Sequence, residues 1–159
     1  MIETVVQRWH EHLRGELPGG LDELLADDVV FHSPIVFTPQ EGKALTSLYL
    51  QAAFQTLPGD GAPSMGGSDG PAAEADEEPH RPGEGSSRFR YTKQVMSGDT
   101  AVLEFETTVQ GTWVNGVDII RCEDAGRIVE FRVMLRPLKA INLVHDQMRA
   151  MIEQMSTGR

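Results

Sequence analysis

The sequence predicts an α+β domain in which a curved antiparallel sheet packs on helices, and three observations lead there. Near the N-terminus, Ile2, Val5, Val6, Trp9 and Leu13 recur at helical spacing. Later the period changes to two, with Leu103, Phe105, Thr107 and Val109 alternating with Glu104, Glu106 and Thr108. Helical patterns come first and strands follow as a run, so nothing signals βαβ units or a parallel sheet.

Each element follows from local signals. A first helix spans Ile2–Leu13 and ends at Gly15, with Pro18-Gly19-Gly20 as connector. Leu21, Leu24 and Leu25 give a short helix over 21–26, broken by Asp27-Asp28. The β-branched and aromatic run Val29–Ser33 is a strand halted by Pro34. After a loop over 35–41, residues 42–57 form a helix with Leu45, Leu48, Tyr49, Ala52, Ala53 and Phe54 as its apolar stripe, and Pro58 stops it. Strands are expected over 88–96, 101–110, 113–122 and 128–136, joined by turns at Ser97-Gly98-Asp99, Gly111-Thr112 and Glu123-Asp124-Ala125-Gly126. Pro137 opens a last helix along which Ile141, Val144, Met148 and Met155 repeat.

Between the third helix and the first meander strand lies a stretch of different composition. Residues 58–87 hold five prolines, seven glycines and seven acidic residues against one arginine, with almost nothing to bury. Such a segment cannot offset the entropy of ordering, so the chain reads as one domain over 1–159 with a disordered acidic insertion at about 58–87. Most of the net charge of −10 belongs to that insertion, leaving an ordinary solvated surface elsewhere. With a pI near 4.9 and no basic stripe, nucleic acid is not an expected partner. No apolar run is long enough to span a membrane, and the lone Cys122 has no disulfide partner, so a soluble, cytoplasmic protein is expected. No His, Cys and carboxylate cluster has ligand spacing, so neither a metal nor another cofactor is expected; His10 and His12, two apart on a helix, diverge.

Asp118 is the most informative carboxylate. It interrupts the β-branched strand Val117–Cys122, where propensity disfavours it, and such violations are expected where function imposes a cost. If Phe105, Ile120, Phe131, Val133 and Leu135 share its face, desolvation raises its pKa and makes it a pocket acid or base. The alternative is a buried aspartate satisfied by a nearby arginine or backbone N–H.

The texts Leu-Ala-Asp-Asp-Val-Val-Phe-His-Ser-Pro (25–34), Gly42 before a helix, Gly-Val-Asp-Ile-Ile-Arg (116–121) and Gly-Arg-Ile-Val-Glu-Phe (126–131) occur in this order. Together they resemble the nuclear transport factor 2-like superfamily, in its SnoaL-like branch, over nearly the whole chain except 58–87. The resemblance implies a cone-shaped curved sheet around an apolar pocket, a homodimer through the outer sheet face, and any of several activities or none. Asp118 looks like the position where ketosteroid isomerase keeps a neutral acid, its carboxyl pKa raised by an apolar site. That enzyme's general base is matched here by Ser33 and its first-helix tyrosine by Trp9, so isomerase chemistry of that kind is not expected. The limonene-epoxide hydrolase triad is missing as well, with Glu106, Thr108 and Arg136 nearest to it, and no histidine set matches scytalone dehydratase.

The expected pocket comprises Trp9, His32, Ser33, Phe37, Phe54, Phe105, Ile120, Phe131, Val133 and Leu135 around Asp118. His32 should point away from Ser33 and reaches the pocket only if the strand bulges near Pro34. Three functions stay open: binding of a small hydrophobic molecule, an isomerase-, cyclase- or hydrolase-type enzyme using Asp118, and a dimeric interaction module.

Overall fold

The computed structural model describes residues 1–58 and 88–157, and the expected disordered insertion, Pro58 apart, lies outside them. Among the described residues four helices, α1 (Ile2–Leu13), α2 (Gly20–Leu24), α3 (Lys43–Thr56) and α4 (Leu138–Thr157), pack against one sheet. Its strands are β1 (Leu25–His32), β2 (Gln40–Glu41), β3 (Arg90–Ser97), β4 (Thr100–Val109), β5 (Thr112–Cys122) and β6 (Ile128–Arg136). The sheet is curved and unclosed, in the order β2-β1-β6-β5-β4-β3, and the class is α+β. Every pair is antiparallel except β1 with β6, where Phe31 pairs with Phe131 in parallel.

Two local expectations change. Leu25 and Ala26 belong to β1, not to the short helix, because Leu25 pairs with Ile128 at the far end of β6 and both are fully buried. Within the expected loop 35–41, Gln40 and Glu41 form the short β2, where Glu41 opposite Val30 adds an edge to β1.

The meander pairs in register, so period two resolves into rows of side chains. On the concave face one row runs Leu103, Asp118, Val133, and the next runs Tyr91, Phe105, Gly116, Leu135. The convex face carries Val95, Val102 and Ile119 in one row, and Lys93, Glu104, Val117 and Met134 in another. Gly116 is required here because a Cβ there would collide with the ring of Phe105 and a methyl of Leu135. Its bare backbone lets Phe105 lie flat across the sheet.

α1 has no side-chain cap at its N-terminus, so packing holds it: Ile2, Val5, Val6 and Trp9 are buried against the concave face. Each such large apolar side chain contributes about 1.5–3 kcal/mol by leaving water. Arg8 also donates to the Gly126 carbonyl in the β5–β6 turn (3.3 Å), which ties the helix to the sheet. α3 and α4 close the other end with Ala52, Leu57, Ala140, Val144 and Met148 around Phe105 and Val109. Between these two clusters the concave face is left partly uncovered.

Candidate functional site

The uncovered part of the concave face is a cavity of about 640 Å³ between α1, α3 and strands β3 to β6. Trp9 from α1, Leu50, Ala53, Phe54 and Leu57 from α3 and its end, and Phe105, Phe131 and Val133 from the sheet make its wall apolar. Trp9 packs its indole on Phe131 and Phe54, with ring centroids 4.9 and 5.6 Å apart. Phe89 stacks on Phe105 at 4.9 Å, extending the aromatic wall toward the start of β3.

Asp118 lies in this wall with only 5% of its surface exposed. Strand alternation forces it there, since Gly116, Asp118 and Ile120 must share the concave face while Val117 and Ile119 face outward. Its partner is Tyr91, whose hydroxyl donates to Oδ2 at 2.6 Å. Tyr91 in turn accepts from the Trp9 indole N–H at 2.8 Å, so a short relay runs from helix to strand to strand. Burial pushes the Asp118 carboxyl up to about 7, and the Tyr91 hydrogen bond opposes that shift. Burial, reinforced by the adjacent carboxylate, pushes the Tyr91 phenol well above its usual value. No arginine touches Asp118 among the described residues, so the buried ion-pair alternative is not what the side chains show.

Two histidines also border the cavity. His12 rests on Phe54 and Trp9, and burial lowers its pKa. His10 sets its ring edge-on to Tyr91 at 5.3 Å and meets Gln94 Oε1 at 3.4 Å. Among the described residues no group of three or more His, Cys, Asp and Glu side chains is arranged to hold a metal.

The sequence-predicted residues divide. Trp9, Phe54, Phe105, Phe131 and Val133 meet Asp118 around the cavity. Ile120 is sealed in the neighbouring core and does not line it. His32, Ser33, Phe37 and Leu135 line a separate recess of about 600 Å³ at the end of β1. β1 stops at His32, and the Ser33 hydroxyl then accepts from the backbone N–H groups of Ile35 and Val36 (3.1 and 3.4 Å), which turns the chain away. His32 faces outward, near Glu130 and Arg132, and Phe37 is fully solvent-exposed. Leu50, Ala53, Leu57 and Phe89 also line the cavity without having been expected there, and Tyr91 is the polar partner that the sequence does not point to: nothing in it pairs Tyr91 with Asp118, because they stand on strands separated by β4.

A bent open sheet wrapped on helices, with an acid buried in its concave wall, defines a recognisable class. The chain has the fold of nuclear transport factor 2-like proteins. It is similar to the crystal structure of a steroid delta-isomerase from Pseudomonas aeruginosa, at 26% identity and a TM-score of 0.74, covering 98% of this chain and 95% of that one. It also resembles an uncharacterised protein with a cystatin-like fold from Silicibacter pomeroyi (24% identity, TM-score 0.69, 98% and 88% covered). A third similar structure is an NTF2-like protein of unknown function from Mesorhizobium loti (21%, 0.58, 86% and 91%). No protein-family model matches the sequence, and no curated protein matches it.

Proposed function

We propose that the protein binds a small hydrophobic molecule in the 640 Å³ cavity and meets an oxygen of that molecule with Asp118. The observation that carries this reading is a buried carboxyl, held by one tyrosine, beside the apolar side chains of Trp9, Phe105, Phe131 and Val133. A pocket of this size and composition suits a small organic ligand, with a few polar groups fixing its orientation. In its neutral form Asp118 donates to a carbonyl or ether oxygen; in its ionised form it accepts from a hydroxyl. The SnoaL-like texts at 25–34 and 116–121 support placing the chain in that branch.

A second reading, an isomerase-, cyclase- or hydrolase-type enzyme, is favoured by the Asp118 pKa of about 7, which suits proton transfer near neutral pH. The similarity to a steroid delta-isomerase also supports it. Against ketosteroid-isomerase chemistry stands Ser33, which is not at the cavity.

Val95, Val102, Trp113 and Met134, exposed on the convex face, support a homodimer through that face. No helix among the described residues is long and apolar enough to cross a membrane. The buried lone Cys122 suits the cytoplasm.

The binding reading is tested with Ala53→Phe, which fills the cavity from α3. Native mass spectrometry of the wild type should show a releasable apolar adduct, or uptake of an added apolar alcohol, and the variant should show neither. Equal uptake by both proteins places binding elsewhere. Asp118→Asn separates the two readings: turnover of a ligand so identified must collapse if Asp118 transfers a proton, whereas binding alone persists.

A further inference from the structure

One histidine at the cavity makes no hydrogen bond to the described residues. His12 stands one turn past Trp9 on α1, about 4.5 Å further along the helix axis, and lines the same cavity. Apolar faces hold its ring, with centroids 5.8 Å from Trp9 and 5.1 Å from Phe54. On its Nδ1 edge lies Gly20, which has no side chain to offer.

The other polar side chains of the lining are engaged. Tyr91 bonds Asp118, the Trp9 indole bonds Tyr91, and His10 meets Gln94. Arg14 and Arg90 bond Glu16 and Glu106, and Arg88 has a partner too. The counterpart of His12 is Oδ1 of Asp118, which accepts no bond from the described residues while Tyr91 holds Oδ2.

A half-buried imidazole that no protein group reaches is hydrated, and an apolar ligand that displaces this water forfeits its hydrogen bond unless it brings a polar atom of its own. Burial lowers the His12 pKa, so near neutral pH the ring carries one N–H donor and one acceptor nitrogen. A hydroxyl both donates and accepts, and therefore suits either tautomer. Asp118 in its neutral form is a donor and suits a carbonyl. Trp9 links the two groups: hydrogen bonds of 2.8 and 2.6 Å lead from its indole through Tyr91 to Asp118, and His12 packs on its ring. Imidazole and carboxyl thus lie within the span of one small aromatic molecule.

Resting on the proposal that this cavity takes a small apolar molecule, we infer that its ligand carries two oxygens at opposite ends of an apolar skeleton, a carbonyl met by Asp118 and a hydroxyl met by His12.

The test titrates two ketones of the same skeleton, 4-phenylbutan-2-one and 4-(4-hydroxyphenyl)butan-2-one, calorimetrically into the full chain at pH 6.5. The hydroxylated ketone should bind about five- to tenfold tighter, as expected for one hydrogen bond. In His12→Phe, which keeps a ring against Trp9 and Phe54, that ratio should fall to about one. His12→Leu gives the same reading should the larger ring disturb α1. His12→Gln restores a donor and an acceptor, so part of the preference should return, an outcome that lost packing alone does not produce. Equal affinities in the wild type, or a preference that survives the apolar substitutions, overturn the two-oxygen ligand while leaving the cavity as a binding site. If neither ketone binds, the cavity reading falls and this inference with it.

Discussion

Tyr91 on β3 reaches over β4 to donate a 2.6 Å hydrogen bond to Asp118 on β5. Two side chains on non-adjacent strands meet because the sheet is bent toward its concave face and Asp118 and Tyr91 lie in neighbouring rows. The bond fixes one carboxylate oxygen, and it makes the acid part of the fold as well as part of the cavity wall.

Removing the hydroxyl should therefore be felt twice. Tyr91→Phe leaves the Trp9 indole N–H without its acceptor and Asp118 without its donor. The expected loss is about 1–3 kcal/mol in urea denaturation at pH 7. The same change removes the influence that lowers the Asp118 pKa, so that pKa should move further up. An unchanged stability would mean that water replaces the hydroxyl.

Asp118 should also make stability depend on pH with a definite sign. Its folded value of about 7 lies above the ordinary aspartate value of 3.8, so between those limits the folded state holds the proton more tightly than the unfolded state. Stability from this group is present at low pH and is lost as pH rises toward 7, by on the order of 4 kcal/mol. Asp118→Asn cannot ionise. The stability of the variant relative to wild type should thus climb from pH 5 to pH 8 in urea melts, and a constant difference would contradict the shift.

Much of this fold was legible because burial on one face imprints a period on the chain. β4 and β5 alternate cleanly, α1 shows its buried stripe, and the Glu123–Gly126 turn carries its own residue chemistry. The start of β1 was not legible, since Leu24-Leu25-Ala26 is apolar throughout and only the distant Ile128 decides that Leu25 is a strand residue. For the cavity, period two placed Asp118, Phe105, Phe131 and Val133 on one face. It could not foresee that Ser33 commits its hydroxyl to its own loop. Nor could it pair Tyr91 with Asp118, because a register shift between Tyr91 and Lys93 changes which β3 residues face inward.

Gly116 supplies a packing test at the same wall. In Gly116→Ala the new methyl meets Phe105 and Leu135, and Phe105 is buried with little room to yield. Overpacking of this kind costs about 1–3 kcal/mol. Thermal melts should show the loss, and ligand uptake should fall as Phe105 is displaced toward the cavity. A variant as stable as wild type would show that the ring has space elsewhere.

The convex face gives a prediction independent of the cavity. Met134 is 52% exposed and Trp113 40% exposed, among Val95 and Val102. If they form a dimer contact, Met134→Glu should shift the native mass from dimer toward monomer while the circular dichroism of the folded chain stays the same. A wild type that is monomeric at micromolar concentration would remove that interface.

Both the binding reading and the acid–base reading depend on Asp118 being a desolvated acid at the cavity floor. Carboxyl 13C NMR of aspartate-labelled protein, with Asp118→Asn to assign the signal, measures this directly. A titration midpoint close to 7 is predicted. A midpoint near the ordinary aspartate value of 3.8 would place the carboxyl in water and contradict it.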